Sequence, residues 1–136
     1  MEFANGFRDL NVYKLSRQLS KEIFEASNTF PKQEMYSLTD QIRRSSRSVG
    51  AQIAEAWGKR RYSKYFISKL TDAVGELYET EHWIETAEDS RYISKEISKG
   101  LLTQYATLGK MLNAMINKSA SFAINSASGF MADGGK

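Results

Sequence analysis

Residues 54–66 read AEAWGKRRYSKYF. Ile53 and Trp57 close one helical stripe, Gly58 suits a left-handed C-terminal stop, and Phe66 and Leu70 open a second stripe behind Ser63. The stretch therefore joins two amphipathic helices through a turn of a few residues, a connection length that favours antiparallel neighbours. It also sets Lys59, Arg60, Arg61 and Lys64 among Trp57, Tyr62, Tyr65 and Phe66. Cations there complement the negative end of a helix dipole, and cations beside aromatic faces also contact phosphates and stack bases. Both readings, helix boundary and RNA contact, are open.

Working outward, a first helix is expected over about 10–29, with Asp9 as its N-cap and Val12, Leu15, Leu19, Ile23, Ala26 and Phe30 recurring at steps of three and four. Pro31 ends it. The second spans 38–57 behind Ser37, which with Asp40 resembles a capping box, and turns Leu38, Ile42, Val49, Ile53 and Trp57 inward. The third spans 63–88, with Phe66, Leu70, Ala73, Leu77 and Ile84 on one stripe and Val74, Tyr78 and Trp83 flanking it. The fourth spans 94–117 and repeats Ile97, Leu101, Tyr105, Leu108, Leu112 and Met115. Helices of about 20 to 25 residues are rods of about 30 to 37 Å. Rods of matched length with short connections define an all-α, up-down-up-down antiparallel four-helix bundle in a single domain, 1–118. Residues 119–136, rich in Ser, Ala and Gly, are expected to be a flexible tail.

The chain has 136 residues, no Cys and a formal net charge of +3. The missing Cys excludes disulfides, thiolate metal sites and Cys nucleophiles. With no run of about 18 apolar residues and no signal-like N-terminus, a soluble, cytoplasmic protein without membrane contact is expected. Charge is strongly segregated along the chain. Residues 43–64 hold Arg43, Arg44, Arg47, Lys59, Arg60, Arg61 and Lys64 against Glu55, a local balance of +6, whereas residues 65–90 carry −6. If the second and third helices turn near Arg60 and Arg61, residue numbers summing to about 121 lie side by side. Arg43 then lies at the level of Glu79 and Arg47 at that of Glu76, so both arginines are read as neutralised by partly exposed ion pairs within the subunit or with a neighbouring one. The same register sets Ser45 and Ser46 beside Gly75, where two backbones could approach closely. The stripe Arg44, Ser48, Gln52 and Glu55 is read either as a solvated face or as a hydrogen-bonded polar network at a subunit interface.

Catalysis finds little support. Glu79 and His82 form one Glu-x-x-His pair, but a dinuclear bundle site needs two, and His82 is the only histidine. No Gly-x-Ser-x-Gly elbow, phosphate-loop or dinucleotide pattern occurs. No enzyme activity, cofactor or metal is expected.

Three stretches carry a family resemblance: DLNVYKLS at 9–16, FPKQEMYSLTDQIRRSSRSVGAQIAEAWGKRR at 30–61 and DAVGELYETEHWI at 72–84. They resemble the four-helix-bundle proteins encoded within intervening sequences of bacterial 23S ribosomal RNA genes. Gln52 stands where that pattern usually has Asn, and Ala56–Trp57 where Gly-Tyr is common. The resemblance implies a homopentameric ring without established enzymatic activity. It also implies kinship with the accessory variability determinant of diversity-generating retroelements, a basic pentamer that binds nucleic acid and a reverse transcriptase. Two classes of function follow. In one, an oligomer binds RNA or another nucleic acid through Lys59, Arg60, Arg61, Lys64, Arg44, Tyr62 and Tyr65. In the other, the same protein is an adaptor for a partner protein.

Overall fold

The structure, a computed structural model, describes residues 4–123. Four α-helices account for most of them: α1 (Asn11–Ser27), α2 (Leu38–Gly58), α3 (Ser63–Asp89) and α4 (Lys95–Asn117). Short 3-10 turns cover Phe7–Asp9, Lys32–Glu34 and Ser119–Phe122. Among the described residues there is no strand, and no helix is long and apolar enough to cross a membrane. Each helix packs on its sequence neighbour and α1 also meets α4, so all four feed one apolar core. The expected stripes supply it, with Leu19, Val49, Ile53, Leu70, Ile84, Leu108 and Leu112 fully buried. Two expected positions fall outside: Ile97 is 49% exposed and Tyr78 58% exposed.

The helix ends differ from their sequence signals because neighbouring side chains intercept the backbone groups. Asp9 is not an N-cap. It sits in the preceding 3-10 turn and accepts the Asn5 amide at 2.8 Å, while Leu10 occupies the cap without a side-chain bond. Ser37 occupies the cap of α2 but makes no capping bond, and no box forms with Asp40. Glu34 takes that role from the turn upstream: its carboxylate accepts from Ser37 Oγ at 2.6 Å, Leu38 N at 3.3 Å and Tyr92 Oη at 2.8 Å. A charged acceptor satisfies an otherwise orphan helix amide and ties the α1–α2 connection to the far end of α3.

Those bonds, the one from Ser37 foremost, hold the Glu34 carboxyl below the usual carboxylate range. Because folding lowers its pKa, the stabilisation is complete above the unfolded value near 4.5 and is lost as pH falls through the folded value. Thermal melts of Glu34→Gln and the parent protein should therefore differ near neutrality and converge in acid. A gap that is constant with pH would refute this linkage.

Gly58 is the last residue of α2 and does not adopt the left-handed stop; Lys59 follows at φ −109°, ψ 17°. The reason is Arg60, whose Nε donates to Trp57 O at 2.7 Å and whose guanidinium lies 3.5 Å from the Trp57 ring centroid. The side chain satisfies a terminal carbonyl that a left-handed glycine would otherwise help to cover. At the end of α3 the left-handed residue is Arg91, φ 63°. Tyr92 N bonds Ala87 O and Arg91 N bonds Glu88 O, both at 2.9 Å, the paired bonds of a Schellman stop. Ser94 caps α4 by accepting from Ile97 N at 3.1 Å.

Three further expectations are corrected. Gly75 is not a close-approach point, since a Cβ there would meet nothing within 4 Å. The tight crossing is at Gly50 against α1, where a Cβ would lie 3.1 Å from Ser16 Oγ. Among the described residues Arg43 forms no ion pair with Glu79, nor Arg47 with Glu76: Arg43 donates to Ser27 Oγ at 2.7 Å and Asn28 Oδ1 at 3.0 Å, and both arginines lie over the Phe24 ring. The proposed tail begins with packed structure, because Phe122 is 3% exposed and stacks on Phe66 at 5.8 Å. The rest of the expected tail, 124–136, lies outside the described residues.

Candidate functional site

The α2–α3 turn divides the basic residues into two kinds. Arg60 is half-buried against Trp57, and that burial lowers its pKa. A guanidinium remains protonated under such a shift, but its face is committed to the indole and its Nε to a backbone carbonyl. The sequence reading grouped it with the loop cations, and the structure gives it a fastening role instead. Lys59, Arg61 and Lys64 are exposed, as are Tyr62 and Tyr65, at 58% and 53%. The two tyrosine rings meet edge to face, with centroids 5.8 Å apart and planes at 80°. Three exposed cations thus share one turn with an exposed aromatic pair.

Glu55 is the acid nearest to this turn in sequence. Its carboxylate is 2.7 Å from Lys69 Nζ on α3, and that contact first, with Lys59 adding a smaller pull, lowers the Glu55 pKa. Lys69, whose own pKa rises chiefly through Glu55, also lies 3.4 Å from Gln52 Oε1 and 3.9 Å from Asp72. The direct ion pair of Glu55 is therefore with α3, and its interaction with Lys59 of the turn is the weaker one. The polar stripe is tied within one chain at three of its four positions: Glu55 and Gln52 to Lys69, and Ser48 to Glu76. Arg44 differs, exposed and 3.4 Å from Asp40 one turn away.

The acidic side of the seam is partly sheltered. Burial, then Glu79 and Asp72, raises the pKa of Glu76, and burial with Glu85 raises that of Glu81. Glu79 accepts from Trp83 Nε1 at 3.1 Å, and His82 is exposed beside the edge of the same indole. Among the described residues no three His, Asp or Glu side chains are grouped as a metal-ligand set.

The structure also shows basic residues that the sequence reading left out. Arg8 lies over Phe7 at 4.5 Å, Phe7 meets Tyr13 edge to face at 4.9 Å, and Arg17 lies 5.9 Å from the Tyr13 centroid. The four-residue spacing of Tyr13 and Arg17 on α1 was a usable signal for the last of these contacts.

Fold and turn together define a class: a four-helix, all-α protein with a basic, tyrosine-bearing connection between its second and third helices. The chain belongs to the 23S rRNA-intervening sequence protein family, whose profile matches residues 8–114. It is similar in structure to a crystallised protein of unknown function from the S23 ribosomal protein family of Bacteroides thetaiotaomicron VPI-5482. The TM-score is 0.70 at 29% sequence identity, over 77% of this chain and 97% of that one. No curated protein matches the sequence.

Proposed function

We propose that this protein is a non-enzymatic, nucleic-acid-binding oligomer that contacts RNA through Lys59, Arg61 and Lys64, with Tyr62 and Tyr65 as stacking surfaces. The observation that carries the reading is the exposure of three cations on the same turn as an exposed, edge-to-face tyrosine pair, with Glu55, the acid nearest in sequence, engaged by Lys69 at 2.7 Å. Phosphate contacts supply affinity and its salt dependence, and aromatic faces accept bases of any sequence. Arg44 is an auxiliary phosphate contact, and Arg60 fixes the turn from within.

The assembly we propose is the homopentameric ring that the family resemblance implies, built in the cytoplasm from up-down-up-down antiparallel bundles. The antiparallel course is supported by the contacts of α2 with α3: Glu55 pairs with Lys69 and Ser45 with Thr80, so partners ascend in one helix as they descend in the other. Five chains of formal charge +3 would carry about +15, repeating a three-cation turn into a multivalent surface. The adaptor reading is favoured by one observation, the exposed acidic and aromatic positions Asp72, Tyr78 and Glu85 along α3.

The test is fluorescence anisotropy of a labelled oligouridylate of about 16 nucleotides, titrated at several salt concentrations. Changing Lys59, Arg61 and Lys64 together to Ala should reduce the slope of log K against log salt by about 2.1, at about 0.7 for each lost phosphate contact. Equal slopes, or no salt-dependent binding by the parent protein, would move the function to a protein partner. Sedimentation showing a monomer at micromolar concentration would remove the ring.

A further inference from the structure

The seam between α1 and α2 carries an open groove of about 410 Å³ that the proposed RNA contact does not use. Its floor is small because Gly50, Ala51 and Ala54 face it from α2. Phe7 and Tyr13 form an aromatic wall, and Arg17 of α1 and Arg47 of α2 line it from opposite helices. Both arginines are exposed, and neither lies within ion-pair distance of a carboxylate among the described residues. The acids that might have answered them are engaged elsewhere. Asp9 holds the Asn5 amide, Glu22 meets Gln18 and Gln104, Asp40 faces Arg44, and Glu55 faces Lys69. The groove serines Ser16, Ser20 and Ser46 donate to backbone carbonyls of their own helices, which leaves the guanidinium groups as its charged donors.

The arrangement continues in both directions. Arg8 extends the aromatic wall through its contact with Phe7. Arg47 also lines an adjoining groove of about 600 Å³ together with Arg43 and Arg44. Ala54, at one end of the first groove, precedes Lys59 by five residues, about 7.5 Å of helix. A row of guanidinium groups interleaved with Phe7, Tyr13 and Phe24 therefore leads away from the α2–α3 turn along one seam.

We infer that the α1/α2 groove is a second binding tract for single-stranded nucleic acid, with Arg17 and Arg47 as phosphate contacts and the Phe7–Tyr13 wall beside the bases. This rests on the proposed RNA contact at the turn and extends it into a continuous path. Nucleic acid is favoured over an acidic peptide because charge alone would serve a polycarboxylate, whereas this groove sets rings between its cations.

The oligouridylate titration separates the two tracts. Changing Arg17 and Arg47 to Ala should reduce the salt slope by about 1.4 while the three turn cations remain. The Arg17→Lys/Arg47→Lys protein keeps both charges and should restore the slope, and Ala51→Leu should weaken binding by filling the groove without changing charge. A normal slope in the Arg17/Arg47→Ala protein, with a reduced slope in the turn variant, overturns the groove and leaves the turn standing. The reverse pattern supports the groove and overturns the turn. Absence of salt-dependent binding by the parent protein overturns both, and displacement of the probe by polyglutamate as readily as by unlabelled oligouridylate overturns the nucleic-acid assignment of the groove.

Discussion

Replacing Phe66 by Ala is expected to cost about 3–5 kcal/mol of unfolding free energy, the range for a large aromatic side chain removed from a packed core. Phe66 is 1% exposed at the start of α3, and its ring stacks on Phe122 with an interplanar angle of 29°. Aromatic pairs contribute about 0.5–1.5 kcal/mol beyond their buried area, so the two residues are expected to be coupled. Urea denaturation of Phe66→Ala, Phe122→Ala and the double variant measures that coupling. The double variant should lose less than the two single losses added together. Strict additivity would show that the two rings are not coupled, and a Phe122→Ala protein as stable as its parent would show that Phe122 contributes nothing to the core.

The second large effect has the opposite sign. Tyr105 is fully buried on α4, and its hydroxyl has no hydrogen-bond partner among the described residues. Burial first, then the charges of Glu22 and Glu81, pushes the phenol pKa upward, which favours its neutral form. Removing a buried polar group that lacks a partner recovers its desolvation penalty, about 1–3 kcal/mol, and Phe retains the ring. Tyr105→Phe should therefore be more stable than the parent in urea. A destabilised variant would mean that the hydroxyl bonds one of the neighbouring carboxylates in solution.

Helix existence was readable because the apolar spacing is determined by the same burial that the fold uses. Val49, Ile53, Leu70, Leu77, Leu108 and Leu112 all occupy their expected places in the core. Three helices begin or end within one residue of the expected bounds, whereas α1 stops at Ser27 rather than Thr29. Caps were misread where a side chain three or four residues away, outside the expected cap positions, reaches the terminus first. Glu34 displaces the Ser37 and Asp40 box, and Arg60 displaces the left-handed Gly58. A one-letter pattern contains both the residue that could cap and its local competitor, but not the geometry that decides between them.

The candidate site divides along the same line. The exposed positions Lys59, Arg61, Lys64, Tyr62 and Tyr65 were legible because a short turn between two amphipathic helices must face outward. Arg60 was not, since a residue just past the end of α2 can either fold back on Trp57, as it does, or reach into solvent like Arg61. Arg43 and Arg47 were assigned acidic partners on α3 from a register argument that fixes level along a helix and leaves the azimuth free. Their guanidinium groups in fact lie over Phe24 of α1, on another side of α2. That azimuth separates a neutralised arginine from one that lines an open groove.

The packing of Phe122 on Phe66 also has a kinetic meaning. Most of the seam between α2 and α3 joins segments separated by a short turn, so its loop-closure entropy is small and it is suited to early formation. The ring contact instead closes a loop that contains nearly all of α3 and the whole of α4. It carries a larger closure cost and becomes favourable only once the intervening helices have docked. The start of α3 is thereby fastened twice, first by its local neighbour and last by the distant end of the chain, so loosening that final contact should accelerate unfolding while leaving the folding rate nearly unchanged.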